Sequence, residues 1–223
     1  MKIHNYTLLI VLRKNRNMLR VKPDTKRKIK HRTRLSTEWH SHQLILYFSL
    51  FGSAILFIFV LIAFFATQSI VQEFYFSKYF SYSTVILLLS ALPASRLTTA
   101  FDAERGKQII RNLSTLVFAG FLFSLLQYAG WSQLNDVTNE LNNRSASFLY
   151  LLSILHAIHV ASVIAITIYV GIRIKMKLSN PIDTLVYYTN PYQRMKLGMI
   201  SQTWLFLHMI WVVIYLVFMS QSY

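Results

Sequence analysis

The stretch LILYFSLFGSAILFIFVLIAFFAT, residues 44–67, carries no charged side chain. As a helix rising 1.5 Å per residue it is about 36 Å long, against about 30 Å for the hydrocarbon core of a bilayer. A helix that is apolar all round belongs in a membrane or in the core of a large protein, and a chain of 223 residues has no core of that size. The segment therefore reads as a membrane span.

Four more apolar segments follow, at 79–101, 109–131, 147–172 and 197–219. The second contains Pro93 near its end, and the third closes on Tyr128 and Trp131, residue types that favour the membrane–water interface. The expected fold is all-α: an integral membrane bundle of five transmembrane helices over 41–223, preceded by a basic tail over 1–40. The tail's own apolar piece, TLLIVL, is too short for a signal-peptide core, and Met18 is a second candidate start.

Charge sets the expected direction. Twelve of the 23 Lys and Arg lie in residues 1–34. The second-to-third connection adds Arg96, Arg105, Lys107 and Arg111; the fourth-to-fifth adds Arg173, Lys175, Lys177, Arg194 and Lys196. The other side has Lys78 and Arg144. The positive-inside rule then puts the N-terminus in the cytoplasm and the C-terminus outside. The tail adjoins a span and has few aromatic residues for stacking on bases, so its partner is read as anionic lipid headgroups, not nucleic acid. Arg96, near the cytoplasmic end of the second span, is expected to snorkel to the headgroups and contact lipid phosphate. The segment 180–193, with two prolines, reads as an ordinary polar connection.

Several chemistries are excluded. There is no cysteine, hence no disulfide, thiolate metal site or cysteine nucleophile. The middle of every span lacks Asp, Glu, Lys and Arg, where a proton relay or transporter would keep them. Neither a glycine-rich phosphate loop nor an inverted repeat is visible.

The histidines remain. His156 and His159 lie three apart in the fourth span, and His208 is in the fifth. They could ligate a haem b from facing helices, which makes a membrane electron carrier one open reading. The structural reading starts from Ser153, Ala157, Ala161 and Ala165, a stripe of small residues four apart. Such a stripe lets helices approach closely, and polar side chains beside it bond across the interface. On that reading the stripe packs on another helix and His156 makes an interhelical hydrogen bond.

Taken together, these segments resemble subunit III of the haem-copper terminal oxidases, in its five-helix form. The likeness rests on His156, His159 and Val160 in the fourth span. It rests also on LFSLLQYAGW (122–131) with Gln127 and Trp131, on the serine-rich 83–107 with its charged turn, and on TWLFLHMIWVVIY (203–215) with Trp204, Phe206 and Trp211. It covers about residues 41–220. The chain departs from the family pattern at Ala54, where the family often has glutamate after a serine, and at Leu205 and His208, where it has histidine and aspartate. Polar roles at those positions do not carry over.

The resemblance implies a subunit of the inner (cytoplasmic) membrane that is no enzyme on its own and holds no haem or copper. Those cofactors would sit in partner subunits. The chain would pack on oxidase subunit I, with other oxidase subunits or a larger respiratory assembly around it, and would hold structural phospholipids. The complex would reduce oxygen to water with electrons from cytochrome c or quinol. Its packing and interface residues would be Ser153, His156, Ala157, His159 and Ala161 in the fourth span, with Arg96, Gln127, Trp131, Trp204 and Trp211.

Overall fold

The computed structural model describes residues 23–67, 77–141 and 144–221, with side chains described from residue 41 and not over 135–146. Most of the basic tail lies outside this description. The chain divides into two compact units, Met1–Ile45 and Leu46–Tyr223. Seven helices are present among the described residues, and no strand: α1 (Pro23–Thr67), α2 (Lys78–Ser95), α3 (Leu97–Asp102), α4 (Gly106–Leu141), α5 (Arg144–Lys177), α6 (Pro181–Thr189) and α7 (Pro191–Met219). Five stretches are long and apolar enough to cross a membrane: Ser41–Thr67, Lys78–Asp102, Gly106–Leu134, Ser147–Lys177 and Pro191–Met219. The expected all-α five-span fold is what the chain forms.

Within Leu46–Tyr223, α2, α4, α5 and α7 form a ring in which each helix packs on the next, α2 on α4, α4 on α5, α5 on α7 and α7 back on α2. Neighbours run antiparallel, as short connections require. The membrane part of α1 lies against the flank. Its side chains reach α5 through Phe57 and α7 through Phe64, whose ring is 4.7 Å from that of Phe218. Only 11 % of its central window is buried, against 33–39 % for the other four spans. Most of the surface of this span is therefore left uncovered by the rest of the chain, which suits its uninterrupted apolar sequence.

Pro93 sits inside α2, which ends two residues later at Ser95. The missing N–H frees one carbonyl a turn back, and the chain turns at Arg96 into the short α3. Helix α3 closes by a Schellman motif: Arg105 N–H donates to Ala100 O and Glu104 N–H to Phe101 O, with Glu104 left-handed at φ 54°. Asp102 then takes two bonds from Arg194 on α7, at 2.6 and 2.8 Å.

The segment 180–193 is not a plain connection. It holds the helix α6, and both prolines stand at helix starts, Pro181 in α6 and Pro191 in α7. There the absent N–H costs nothing. Asn190 caps α7 by accepting from Tyr192 N–H at 2.9 Å.

Candidate functional site

The polar chemistry of the described residues gathers inside the ring. Helix α2 turns Phe80, Ser83, Thr84, Leu87, Ser90 and Ala94 inward. The three hydroxyls on that face each meet a donor or acceptor from another helix. Gln127 Nε2 of α4 donates to Ser83 Oγ at 2.9 Å, Trp211 Nε1 of α7 to Thr84 Oγ1 at 2.8 Å, and Ser90 Oγ lies 2.8 Å from His208 Nε2. Helix α5 repeats the device: Trp131 Nε1 donates to Ser153 Oγ at 2.7 Å and Trp204 Nε1 to Thr167 Oγ1 at 3.1 Å.

In the pairs made by Gln127 and the three tryptophans the hydroxyl also donates to a carbonyl three or four residues back in its own helix, as Thr84 does to Phe80 O at 2.7 Å and Thr167 to Val163 O at 2.7 Å. Ser90, by contrast, has one hydrogen to give to either Leu87 O or His208 Nε2, since His208 Nδ1 faces the Trp204 carbonyl. An indole N–H can only donate; a hydroxyl can accept that bond and pass its own hydrogen on. An indole–hydroxyl pair thus strands no side-chain polar atom in an apolar interior, whereas in the Gln127–Ser83 pair the Gln127 Oε1 has no hydrogen-bond partner within the chain. Ser83, Thr84, Ser90 and Thr167 are thus interface residues that the sequence reading missed. For α2 the signal was that Ser83 and Ser90, seven residues apart, share one helical face with Thr84 beside it.

The two histidines of α5 behave differently. His159 Nδ1 lies 2.7 Å from Leu155 O, a carbonyl that can only accept. This puts the proton on Nδ1 and leaves Nε2 to accept from Ser53 Oγ of α1 at 3.1 Å. His159, not His156, makes the interhelical bond. His156 is fully buried, and neither of its ring nitrogens has a hydrogen-bond partner. Its ring is enclosed by Phe57, Phe123 and Trp211 at centroid distances of 6.2, 5.5 and 5.2 Å. The expected hydrogen bond from His156 is therefore corrected: aromatic rings occupy the space where a polar partner would stand.

The small-residue stripe is corrected too. Ser153 is buried and Ala157 half-buried, but Ala161 and Ala165 are exposed. The inward face of α5 is Leu149, Leu152, Ser153, His156, Val160, Val163, Ile164 and Thr167. Close approach is provided from the other side, by Gly120 and Gly130 of α4, which receive Ile164 and Phe80.

Gln127, Trp204 and Trp211 are buried in the ring, with Trp131 at its rim. Arg96 is exposed at the α2–α3 corner, outside this cluster.

A haem held by His156 or His159 with His208 does not fit this interior. His208 engages Ser90 through Nε2 and the Trp204 carbonyl through Nδ1, and both nitrogens of His159 are engaged as well. Only His156 has nitrogens to offer, and they face packed rings. Among the described residues no three His, Asp or Glu side chains gather around a common point suited to a metal ion.

These features define a multi-pass helical membrane protein whose interior polar groups join helix to helix. In comparison with known proteins, no protein-family model matches the chain and no curated protein matches it in sequence.

Proposed function

We propose that this chain is a non-catalytic accessory subunit of a haem-copper terminal oxidase, of the subunit III kind. It would pack on subunit I in the cytoplasmic membrane, and haems and copper would belong to its partners. The observation that carries this reading is the convergence of the residues on which the resemblance rests. Gln127, His156, Trp204 and Trp211 come from three helices, and all four are buried in one ring interior. Trp211 and His156 are in direct ring contact there. The polar pairs of that interior join helices, which suits a subunit that supports a neighbour's chemistry.

The direction of insertion belongs to the same proposal. The α2–α4 corner, the end of α5, helix α6 and the start of α7 share one end of the ring. That end carries Arg96, Arg105, Lys107, Arg111, Arg173, Lys175, Lys177, Arg194 and Lys196, which favours a cytoplasmic setting.

The test is a mild-detergent pull-down from native membranes, with mass spectrometry and a reduced-minus-oxidised spectrum on one sample. A large haem-copper subunit is expected to co-purify. A chain that emerges alone with a haem band of its own overturns the reading.

A further inference from the structure

Helix α1 is longer than its span. It runs as one α-helix of 45 residues from Pro23 to Thr67, while the part apolar enough to cross a membrane begins at Ser41. The extension, 23–40, carries six Lys and Arg: Lys26, Arg27, Lys28, Lys30, Arg32 and Arg34. With 3.6 residues per turn, positions 26, 27, 30 and 34 fall on one face about 100° wide. We infer that this basic stripe docks an acidic segment of a partner protein, one that presents carboxylates at helical spacing beside the membrane. The inference does not rest on the oxidase reading.

Three observations support it. First, the helix forms against its own charge. Lys26 and Lys30, Lys28 and Arg32, and Lys30 and Arg34 are like-charged pairs four apart, and each such pair destabilises an isolated helix. The extension's only carboxylates, Asp24 and Glu38, stand near its ends, so two negative charges meet six positive ones. An acidic partner would remove the repulsion.

Second, the stripe reaches beyond the headgroups that the sequence suggests as its partner. At 1.5 Å per residue, Arg34 stands about 10 Å along the helix from Ser41, Lys30 about 16 Å and Lys26 about 22 Å. The Debye length in physiological salt is about 8 Å. Anionic headgroups therefore hold Arg34 and leave the outer cations to something that stands off the membrane.

Third, the extension lacks what the other occupants need. A helix lying on a bilayer requires a broad apolar face, and between Asp24 and Arg34 the sole apolar side chain is Ile29. Stacking on bases requires aromatic side chains, and the one in the extension is Trp39, at its membrane end. Cations at one-turn intervals instead match carboxylates on a second helix, where ion pairs between helices set the partner and its direction.

The experiment is fluorescence anisotropy with the full chain in nanodiscs. The probe is a fluorescein-labelled, alanine-rich peptide with glutamate at every fourth residue. In phosphatidylcholine nanodiscs the wild type is expected to bind it. Lys26→Gln/Arg27→Gln/Lys30→Gln/Arg34→Gln is expected to weaken binding at least about tenfold, since four ion pairs go together. His31→Pro keeps all six cations but breaks the helix between them, and should weaken binding by a similar factor. Arg105→Gln/Lys107→Gln/Arg111→Gln should bind as the wild type does. A peptide of the same composition with its glutamates in one block should bind several-fold more weakly. Equal binding of the two peptides, or full binding by His31→Pro, would reduce the stripe to unspecific charge and overturn the site. Loss of the peptide when phosphatidylglycerol replaces phosphatidylcholine would assign the stripe to lipid. Tighter binding of a single-stranded RNA of equal charge would assign it to nucleic acid. Either result overturns the protein partner.

Discussion

Trp211 Nε1 and Thr84 Oγ1 meet at 2.8 Å across the α7–α2 interface, with Thr84 passing its own hydrogen to Phe80 O. Both residues are buried. Thr84→Val keeps the shape and removes the acceptor, so the indole N–H is left in an apolar interior. A double-mutant cycle of Thr84→Val with Trp211→Phe should give a coupling of about 0.6–1.7 kcal/mol, the range for hydrogen bonds between membrane helices. Reversible unfolding in detergent measures it. A coupling near zero would mean the hydroxyl contributes nothing through this bond.

Gly130 sets how closely α4 approaches α2. A Cβ there would stand 2.8 Å from Phe80 Cε1, and Phe80 is itself fully buried, with Trp211 at 6.3 Å. The ring has nowhere to retreat. Gly130→Ala should destabilise by about 1–3 kcal/mol, as overpacking does. Gly171 is the control, since its nearest neighbour would be Leu113 Cδ1 at 3.9 Å. Gly171→Ala should be neutral, or stabilising by up to about 1 kcal/mol through helix propensity. Thermal unfolding of the two variants side by side would show whether these signs hold.

Ser53 and His159 pin α1, whose span is otherwise little buried. Ser53→Ala or His159→Leu removes that bond but leaves Phe57 and Phe64 in place. The helix should loosen while the four-helix ring stays folded. The chain has no native cysteine, so Tyr47→Cys with Gln202→Cys, a pair joined by a 3.5 Å side-chain contact in the wild type, reports the α1–α7 distance without background. A short thiol crosslinker should join the pair in the parent and do so several-fold more slowly in the Ser53→Ala background. An unchanged rate would show that apolar contacts alone hold α1.

The five spans were legible because an uncharged run longer than a bilayer is thick has few places to go. Trp131, Trp204, Trp211 and Gln127 were named as packing or interface residues only through the resemblance; Gln127, Trp204 and Trp211 are buried in the ring and Trp131 is half-buried at its rim. Their partners were not legible, because a hydroxyl on a span can as well satisfy itself on its own helix. Ser83, Thr84 and Thr167 do both at once. The α5 stripe misled for a different reason. Close approach needs only one small partner, and Gly120 of α4 supplies it against Ile164 of α5, while Ala161 and Ala165 lie on the outside. Helix α6 was hidden by reading Pro181 and Pro191 as breaks when both stand at starts.

His156 and His159, three residues apart, should answer substitution with opposite signs. His159 has both nitrogens bonded, so His159→Leu loses two hydrogen bonds and strands the Ser53 hydroxyl, a loss of stability. His156 has neither nitrogen bonded within the chain and is enclosed by Phe57, Phe123 and Trp211. Its burial costs desolvation that weak N–H contacts with ring faces only partly offset. His156→Leu fills most of the same space without polar atoms, so the isolated chain should gain about 1 kcal/mol. His156→Ala, by contrast, opens a cavity between three rings and should lose about 2 kcal/mol or more. Unfolding of the three variants in one detergent separates these effects. A His156→Leu chain as unstable as His156→Ala would show that the imidazole has a polar partner after all. A His156→Leu chain that is more stable yet no longer co-purifies with a haem-copper subunit would move the purpose of this histidine from the fold to the assembly.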